Sequence, residues 1–300
     1  MHNYLNFPLI IMNSLKPLQE RIDNYLTTYI SQFAPSNLQQ AMSYSLLAGG
    51  KRIRPILVYL TGQMFNCPLT KLDSVAAAIE SMHTYSLIHD DLPAMDDDNL
   101  RRGKPTCHIK FGQAQAILAG DALQSLAFSL LSENQQISNQ SKIKMITELA
   151  SASGLAGMCL GQSLDLQAEH QTVTLEHLQT IHNYKTGALI QAAVRLGAYS
   201  CDEVSQPYYP MLDNYAKAIG LAFQIQDDIL DVIGEQELMG KPQGSDLKLE
   251  KSTYPALMGL QNAIEMTHKL YQQAIDSLTQ IPYNSQPLQD LAGFIINRNS

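Results

Sequence analysis

The sequence has no basic excess. Its 20 Lys and Arg stand against 28 Asp and Glu, a formal net charge of −8 over 300 residues. Broad electrostatic binding to nucleic acid is therefore excluded as the main task, because that needs a pervasive positive surface. Any anionic ligand must be held by a local gathering of cations or by metal ions. Cysteine is sparse too: Cys67, Cys107, Cys159 and Cys201 are scattered, with no CxxC pair. That argues against a zinc site or a disulfide framework and reads as reduced thiols in a cytoplasmic protein. No run approaches the ~18 apolar residues of a bilayer span. The apolar stretch from Leu5 to Met12 lacks a basic n-region and an A-x-A-like cleavage site, so it is not read as a signal peptide. Alternating β-branched runs, Gly/Ser-rich linkers and repeats of roughly 20–50 residues are also missing.

What remains is 45% hydrophobic and only 16% charged, enough apolar material for a substantial core. Ala, Leu, Gln and Met in helical patterns predict helices over about 14–33, 37–47, 55–64 and 70–91, with Pro55 in a first turn and Thr70 as an N-cap. Further helices are expected over about 113–131, 140–160, 174–199, 206–233, 254–278 and 287–297. This is one all-α domain, a bundle of about ten helices over residues 14–300. Residues 1–13 are expected as an N-terminal extension, read either as flexible chain or, from its apolar character, as a packing or partner segment, with Met12 as an alternative start. The pattern breaks at Asp96–Lys110 and at Gly234–Ser252, each directly after an aspartate cluster.

The first cluster reads His89-Asp90-Asp91-Leu92-Pro93-Ala94-Met95-Asp96-Asp97-Asp98, followed by Arg101-Arg102-Gly103-Lys104. The second reads Gln224-Ile225-Gln226-Asp227-Asp228-Ile229-Leu230-Asp231. Asp227 and Asp231 are four apart and share a helix face. Asp90 and Asp96 are six apart, but Pro93 disfavours the helical region at Leu92, and that distortion can bring Asp96 back towards Asp90. Carboxylates this close repel by about 4 kcal/mol at 4 Å and an effective dielectric of about 20. Each cluster is thus either a solvated acidic turn or a cation site. The alternating ligand loop of an EF-hand is missing, and magnesium, which needs one or two carboxylates plus water and phosphate oxygens, fits better.

Basic residues gather beside glycines. Gly49-Gly50-Lys51-Arg52-Ile53-Arg54-Pro55 places three cations at a helix start, where backbone N–H groups favour anions. Lys185-Thr186-Gly187 interrupts an apolar helix, and Lys241 and Lys251 flank the second break. Any one of these alone also reads as a surface charge.

These residues carry a resemblance. GGKRIRP, HDDLPAMDDDNLRRGKPTCH, GDALQSLAF, GQSLDLQAE, YKTGALI, FQIQDDILDVIGE and GKPQGSDLKLEKSTYP occur in the order found in trans-isoprenyl diphosphate synthases. The match runs from about residue 36 to Arg298 and is to the bacterial farnesyl diphosphate synthase (geranyltranstransferase) type. The resemblance implies an all-α fold around a deep cavity and the head-to-tail joining of an allylic diphosphate to isopentenyl diphosphate. It implies that Asp90 and Asp96 bind two magnesium ions and Asp227 a third, with Asp91, Asp228 and Asp231 in support and manganese as a substitute. Arg101, Lys185, Thr186, Gln224, Lys241 and Lys251 match contacts to the allylic substrate. Lys51, Arg54, His83 and Arg102 match the isopentenyl diphosphate site. Asp90, Asp96, Asp227, Lys185 and Arg101 are the expected catalytic set. Tyr85 and Ser86, five and four residues before Asp90, match the chain-length position. A homodimer is the family expectation.

Rival readings stay open. His83 also reads as a satisfied core histidine, Arg52 as a purely structural cation, and Tyr85 as a core aromatic with the stop deeper, at Met82 or Met158. A geranylgeranyl diphosphate synthase shares the chemistry. A class I terpene cyclase needs no isopentenyl diphosphate site, and Lys51, Arg54 and the second aspartate cluster argue against it. A non-catalytic subunit would carry eroded aspartate motifs.

Overall fold

The computed structural model describes residues 7–169, 171–233 and 252–298. Among them the chain is helical apart from one short hairpin. In chain order the helices are α1 (Phe7–Ile30), α2 (Asn37–Leu46), α3 (Ile53–Met64), α4 (Leu69–Asp90), α5 (Cys107–Phe111), α6 (Gln113–Ser132), α7 (Asn139–Ser153) and α8 (Met158–Ala168). Then come α9 (Leu175–His182), α10 (Ala188–Tyr199), α11 (Tyr209–Ile233), α12 (Tyr254–Met258), α13 (Leu260–Thr279) and α14 (Gln286–Asn297). A π-helical turn, Asn183–Gly187, joins α9 to α10, and a 3-10 stretch, Asp202–Tyr208, precedes α11.

Several boundaries differ from the sequence expectation. Helix α1 runs unbroken through the expected boundary at residue 14, because Ile11 and Leu15 are buried on the same stripe as Ile22, Leu26 and Ile30. Helix α4 starts at Leu69 after Pro68, so Thr70 is inside it and caps nothing. The helix expected over 140–160 is two helices, parted at Gly154–Gly157. The break after the first aspartate cluster holds a hairpin, β1 (Leu100–Arg101) against β2 (Lys104–Pro105), turned at Arg102 and Gly103, both at positive φ. Its turn is followed by α5 rather than irregular chain.

Helix α4 lies at the centre, against α3, α6 and α10. It is buried almost all round, and its Ala76-Ala77-Ala78 run lets those neighbours approach closely. Helix α6 is 20 residues long with a mean hydropathy of 1.3, the length and apolarity of a membrane span. Its composition has a local cause: Ala116, Ala119, Gly120, Leu123 and Ala127 form the face packed on α4. The stretch Asn139–Ala168, 30 residues at 1.2, passes the same test but is broken at Gly154–Gly157. A smaller core, Leu178, Leu221, Ile225, Ile229, Tyr254 and Ala263, lies between α9, α11 and α13.

A repeat that the sequence conceals emerges here. Helix α4 ends in the first aspartate cluster. Thr106 then stands just before the five-residue α5, its hydroxyl turned to the Asp98 carbonyl, Gly112 at φ 86° turns the chain, and the 20-residue α6 packs back on α4. Helix α11 ends in the second cluster. Thr253 caps the five-residue α12, Gly259 at φ 84° turns the chain, and the 20-residue α13 packs back on α11.

Candidate active site

Both aspartate clusters open onto one cleft system at the ends of α4 and α11. After α4 the chain folds back: the Asp96 N–H donates to the Asp90 carbonyl at 2.9 Å, and Asp97 N–H to the Leu92 carbonyl at 3.2 Å. The distortion expected at Pro93 thus brings Asp96 beside Asp90, and both line a cavity of about 270 Å³ with Arg101, Lys185, Thr186, Gln224 and Asp228. Asp90 is pushed above its usual range, first by burial and then by Asp96 and Asp165, against the pull of Lys185 and Arg101.

The second members of the pairs behave differently. Asp91 is buried, and the Arg101 Nε donates to both its oxygens, at 2.7 and 2.9 Å. Asp228 is buried and accepts the Tyr254 backbone N–H at 2.9 Å. Asp227 lines the neighbouring cleft with Asp231 and accepts from the Arg298 guanidinium at 2.7 Å. Burial raises the Asp227 carboxyl, opposed by Arg298 and Lys51.

Lys185 sits in the π-helical turn, and its Nζ lies 2.7 Å from Asp165 and 3.7 Å from Asp90. Gly161 of α8 makes this possible: a Cβ there would fall 2.1 Å from the Lys185 backbone nitrogen. The next residue, Thr186, donates its hydroxyl to the Gln224 side-chain oxygen at 3.0 Å.

The second cleft, about 730 Å³, is lined by Gly50, Lys51, Arg54, His83, Arg101, Arg102, Arg298, Asp227 and Asp231, and it shares Arg101, Thr186, Gln224 and Asp228 with the first. Crowded cations depress one another here. Lys51 is lowered to about 8, by burial first and then by Arg298, and Arg54 to about 10, by burial first. His83 is held well below its usual value by burial and the surrounding arginines, so it is neutral; its Nε2 accepts from Arg54 Nη1 at 3.3 Å. Arg102 passes over Gly50, where any Cβ would strike its guanidinium, and donates to the Gly49 carbonyl. Arg52 lies in the cleft wall with its guanidinium buried against Glu80 at 2.6 Å, Asp23 at 2.8 Å and the Leu46 carbonyl at 2.8 Å, in keeping with the structural role weighed for it.

Most expected residues are therefore brought together. Lys241 and Lys251 lie outside the described residues. Tyr85 and Ser86 lie on α4 below Asp90 and line neither cleft; the Ser86 hydroxyl is bonded back to the His83 carbonyl at 2.8 Å. Asp165 and Arg298 are residues that sequence reasoning missed. Both fall within the quoted stretch, but nothing local marks a lone aspartate as the partner of a lysine 20 residues on.

The carboxylates suit a hard divalent cation bound partly by the ligand. Among the described residues no three His, Cys, Asp or Glu side chains converge on one point. Magnesium does not require that, since it keeps several waters and takes phosphate oxygens. The paired, partly buried oxygens of Asp90 and Asp96 fit such an ion.

The all-α bundle is the fold of the isoprenyl synthases among solved structures. The polyprenyl synthetase family model matches residues 35–284, and the chain belongs to that family. It is 53% identical to farnesyl diphosphate synthase of Escherichia coli, over 98% of this chain and all of that one. It is 40% identical to a geranylgeranyl diphosphate synthase of Cyanophora paradoxa over 97% of both. Among solved structures it resembles a Helicobacter pylori geranyltransferase complexed with magnesium and isoprenyl diphosphate, with a TM-score of 0.81 and 30% identity over 96% of each chain.

Proposed function

We propose that this protein condenses isopentenyl diphosphate with dimethylallyl and then geranyl diphosphate to give farnesyl diphosphate. The observation that carries the reading is the division of the site into two adjoining clefts. One is faced by carboxylates with Lys185, the other by Lys51, Arg54, Arg102 and Arg298, and they share Arg101, Thr186, Gln224 and Asp228. Two anionic substrates that must react with each other need separate clamps with a common wall. The difference between the 53% and 40% relatives favours the C15 product over the C20 one.

In this reading the allylic diphosphate lies in the smaller cleft, between the first aspartate pair and Lys185. Magnesium held by Asp90, Asp96 and Asp227, three ions in all, would neutralise the diphosphate oxygens and stabilise the charge that grows on the leaving group. Lys185, oriented by Asp165, adds a fixed positive charge where that diphosphate departs, and Arg101 is fixed by Asp91 for the same purpose. Lys51, Arg54 and Arg102 hold isopentenyl diphosphate with its double bond towards the allylic carbon. The allylic C–O bond breaks, its electron pair leaving with diphosphate. The double bond then attacks the cation, forming the new C–C bond, and the product loses a proton. No side chain in the two clefts is assigned as the base, and the departing diphosphate is the acceptor in this scheme.

The exposed apolar residues Ile117 and Leu118 on α6, Ile143 on α7 and Leu155 after it support a homodimer, which sedimentation analysis would test. A cytoplasmic location rests on the four free cysteines. The activity is tested with labelled isopentenyl diphosphate and each allylic primer. Farnesyl diphosphate from geranyl diphosphate, abolished by chelation and restored by magnesium, is the expected result. No condensation with any primer, or undiminished turnover after exhaustive chelation, would refute it.

A further inference from the structure

Tyr85 and Cys159 meet beneath the metal-facing carboxylates. Tyr85 lies five residues before Asp90 on α4, and Cys159 lies six before Asp165 on α8. At 1.5 Å rise per residue these are depths of about 7.5 and 9 Å below the two aspartates. Asp90 and Asp165 are themselves linked through Lys185, so both helices reach the same cleft. At the lower level the Tyr85 Oη and the Cys159 Sγ share a hydrogen bond of 3.5 Å. The two helices are thus joined twice, at the mouth by a lysine and below it by a hydroxyl–thiol pair.

The tyrosine ring is also braced from the side. His89 packs edge-on against it, with centroids 5.1 Å apart, and the His89 Nε2 lies 3.0 Å from the Ile117 carbonyl of α6. Burial, reinforced by the bond to Cys159, pushes the Tyr85 hydroxyl well up, so it stays neutral and able to donate. Cys159 is exposed, whereas Cys67, Cys107 and Cys201 are buried, so its side chain is not a packing element of the core.

We propose that Cys159 is a second product-length residue: it holds the Tyr85 ring as a bar between α4 and α8, and the pair sets where the growing chain stops. The inference rests on the farnesyl-forming reading above. In that reading a prenyl tail growing down along α4, beyond the lining of the carboxylate cleft, would meet at this level a ring tethered at both ends of its long axis. Without the thiol the ring keeps its bulk but loses one tether. A neutral hydrogen bond biases a two-state equilibrium by about fivefold, so the ring would swing aside more often and admit a further isoprene unit.

The experiment measures the C20 to C15 product ratio from geranyl diphosphate and labelled isopentenyl diphosphate. Cys159→Ala and Tyr85→Phe should each raise it about fivefold. The double variant should exceed neither single by much, because both remove the same bond. Cys159→Ser should stay near the parent, since its hydroxyl retains a partner for Tyr85. Tyr85→Ala should raise the ratio furthest. The ratio comes only from molecules that turn over, so partial loss of folded protein does not imitate the effect. An unchanged ratio in Cys159→Ala beside a raised one in Tyr85→Ala would show that Tyr85 acts alone and overturn the proposal. Unchanged ratios in both would place the stop elsewhere and overturn it too. Failure of the farnesyl reading is distinguishable, because the parent itself would then give mostly C20 product or no condensation at all.

Discussion

The two aspartate clusters are built on one plan and finished differently. Each ends a long helix, and each is followed by a five-residue helix that starts after a threonine, a left-handed glycine and a 20-residue return helix. In both, the first aspartate of the pair, Asp90 or Asp227, faces a cleft, and the second, Asp91 or Asp228, is buried and bonded to the protein, although Asp228 also reaches the wall that the two clefts share. The partners differ. The first cluster is clamped through side chains: Arg101 grips Asp91, and Lys185 stands off Asp90. The second is clamped through the main chain of Tyr254 and through Arg298, near the end of the sequence. Adjacent aspartates thus divide the work between ligand and scaffold, and the scaffold half is hard-wired in one cluster by a guanidinium and in the other by a peptide N–H.

Substitutions that respect this division should separate its halves. Asp90→Ala and Asp227→Ala should each lower kcat by on the order of 10³-fold, since in the proposed reading each removes a carboxylate that would hold magnesium against the leaving diphosphate. A loss under tenfold in steady-state assays would remove them from the catalytic list. Asp91→Asn leaves the partly exposed Arg101 guanidinium beside a neutral amide, and should cost about 2 kcal/mol in denaturant unfolding. If Asp91→Asn instead unfolds like the parent and loses only magnesium affinity, the division fails.

The basic cleft allows a finer test. Lys51→Ala and Arg102→Ala should raise KM for isopentenyl diphosphate about tenfold or more, and KM for geranyl diphosphate much less, because charge-assisted contacts to one diphosphate are lost. Equal effects would show that the two clefts are not separate clamps. The pH profile adds a smaller effect. Lys51 carries its charge below about 8 and sheds it above, so kcat/KM for isopentenyl diphosphate should decline as pH rises past that value. Lys51→Arg, charged throughout, should flatten the decline, and an unaltered profile would assign it to another group.

Much of the site was legible because its chemistry is local. The clusters, the glycine-flanked cations and the fold-back at Pro93 are short-range patterns, and the Asp96–Asp90 backbone bond bears out the last of them. The elements that were missed depend on long-range packing. Asp165 pairs with Lys185 across 20 residues, and Arg298 with Asp227 across 71. The duplicated plan left no sequence signal because it is carried by helix lengths and by single residues, Thr106 with Gly112 and Thr253 with Gly259. Gly112 and Gly259 each sit in apolar, helix-forming surroundings, so periodicity read straight through Gly259 and merged α12 with α13.

The π-helical turn at Asn183–Gly187 carries a last consequence. A π turn holds one residue more than the α turn it replaces, and each residue of an α-helix advances the azimuth by about 100°. Here Lys185 and Thr186 face the carboxylate cleft, whereas Asn183 and Tyr184 face a separate groove shared with α7, α11 and α13. The direction of Lys185 is therefore a matter of phase as well as identity. Removing any one residue between His182 and Ala188 would let α9 and α10 fuse into a regular helix while rotating one relative to the other. Every substitution scan of these positions preserves the residue count, so only a single-codon deletion would reveal how far the site is set by counting.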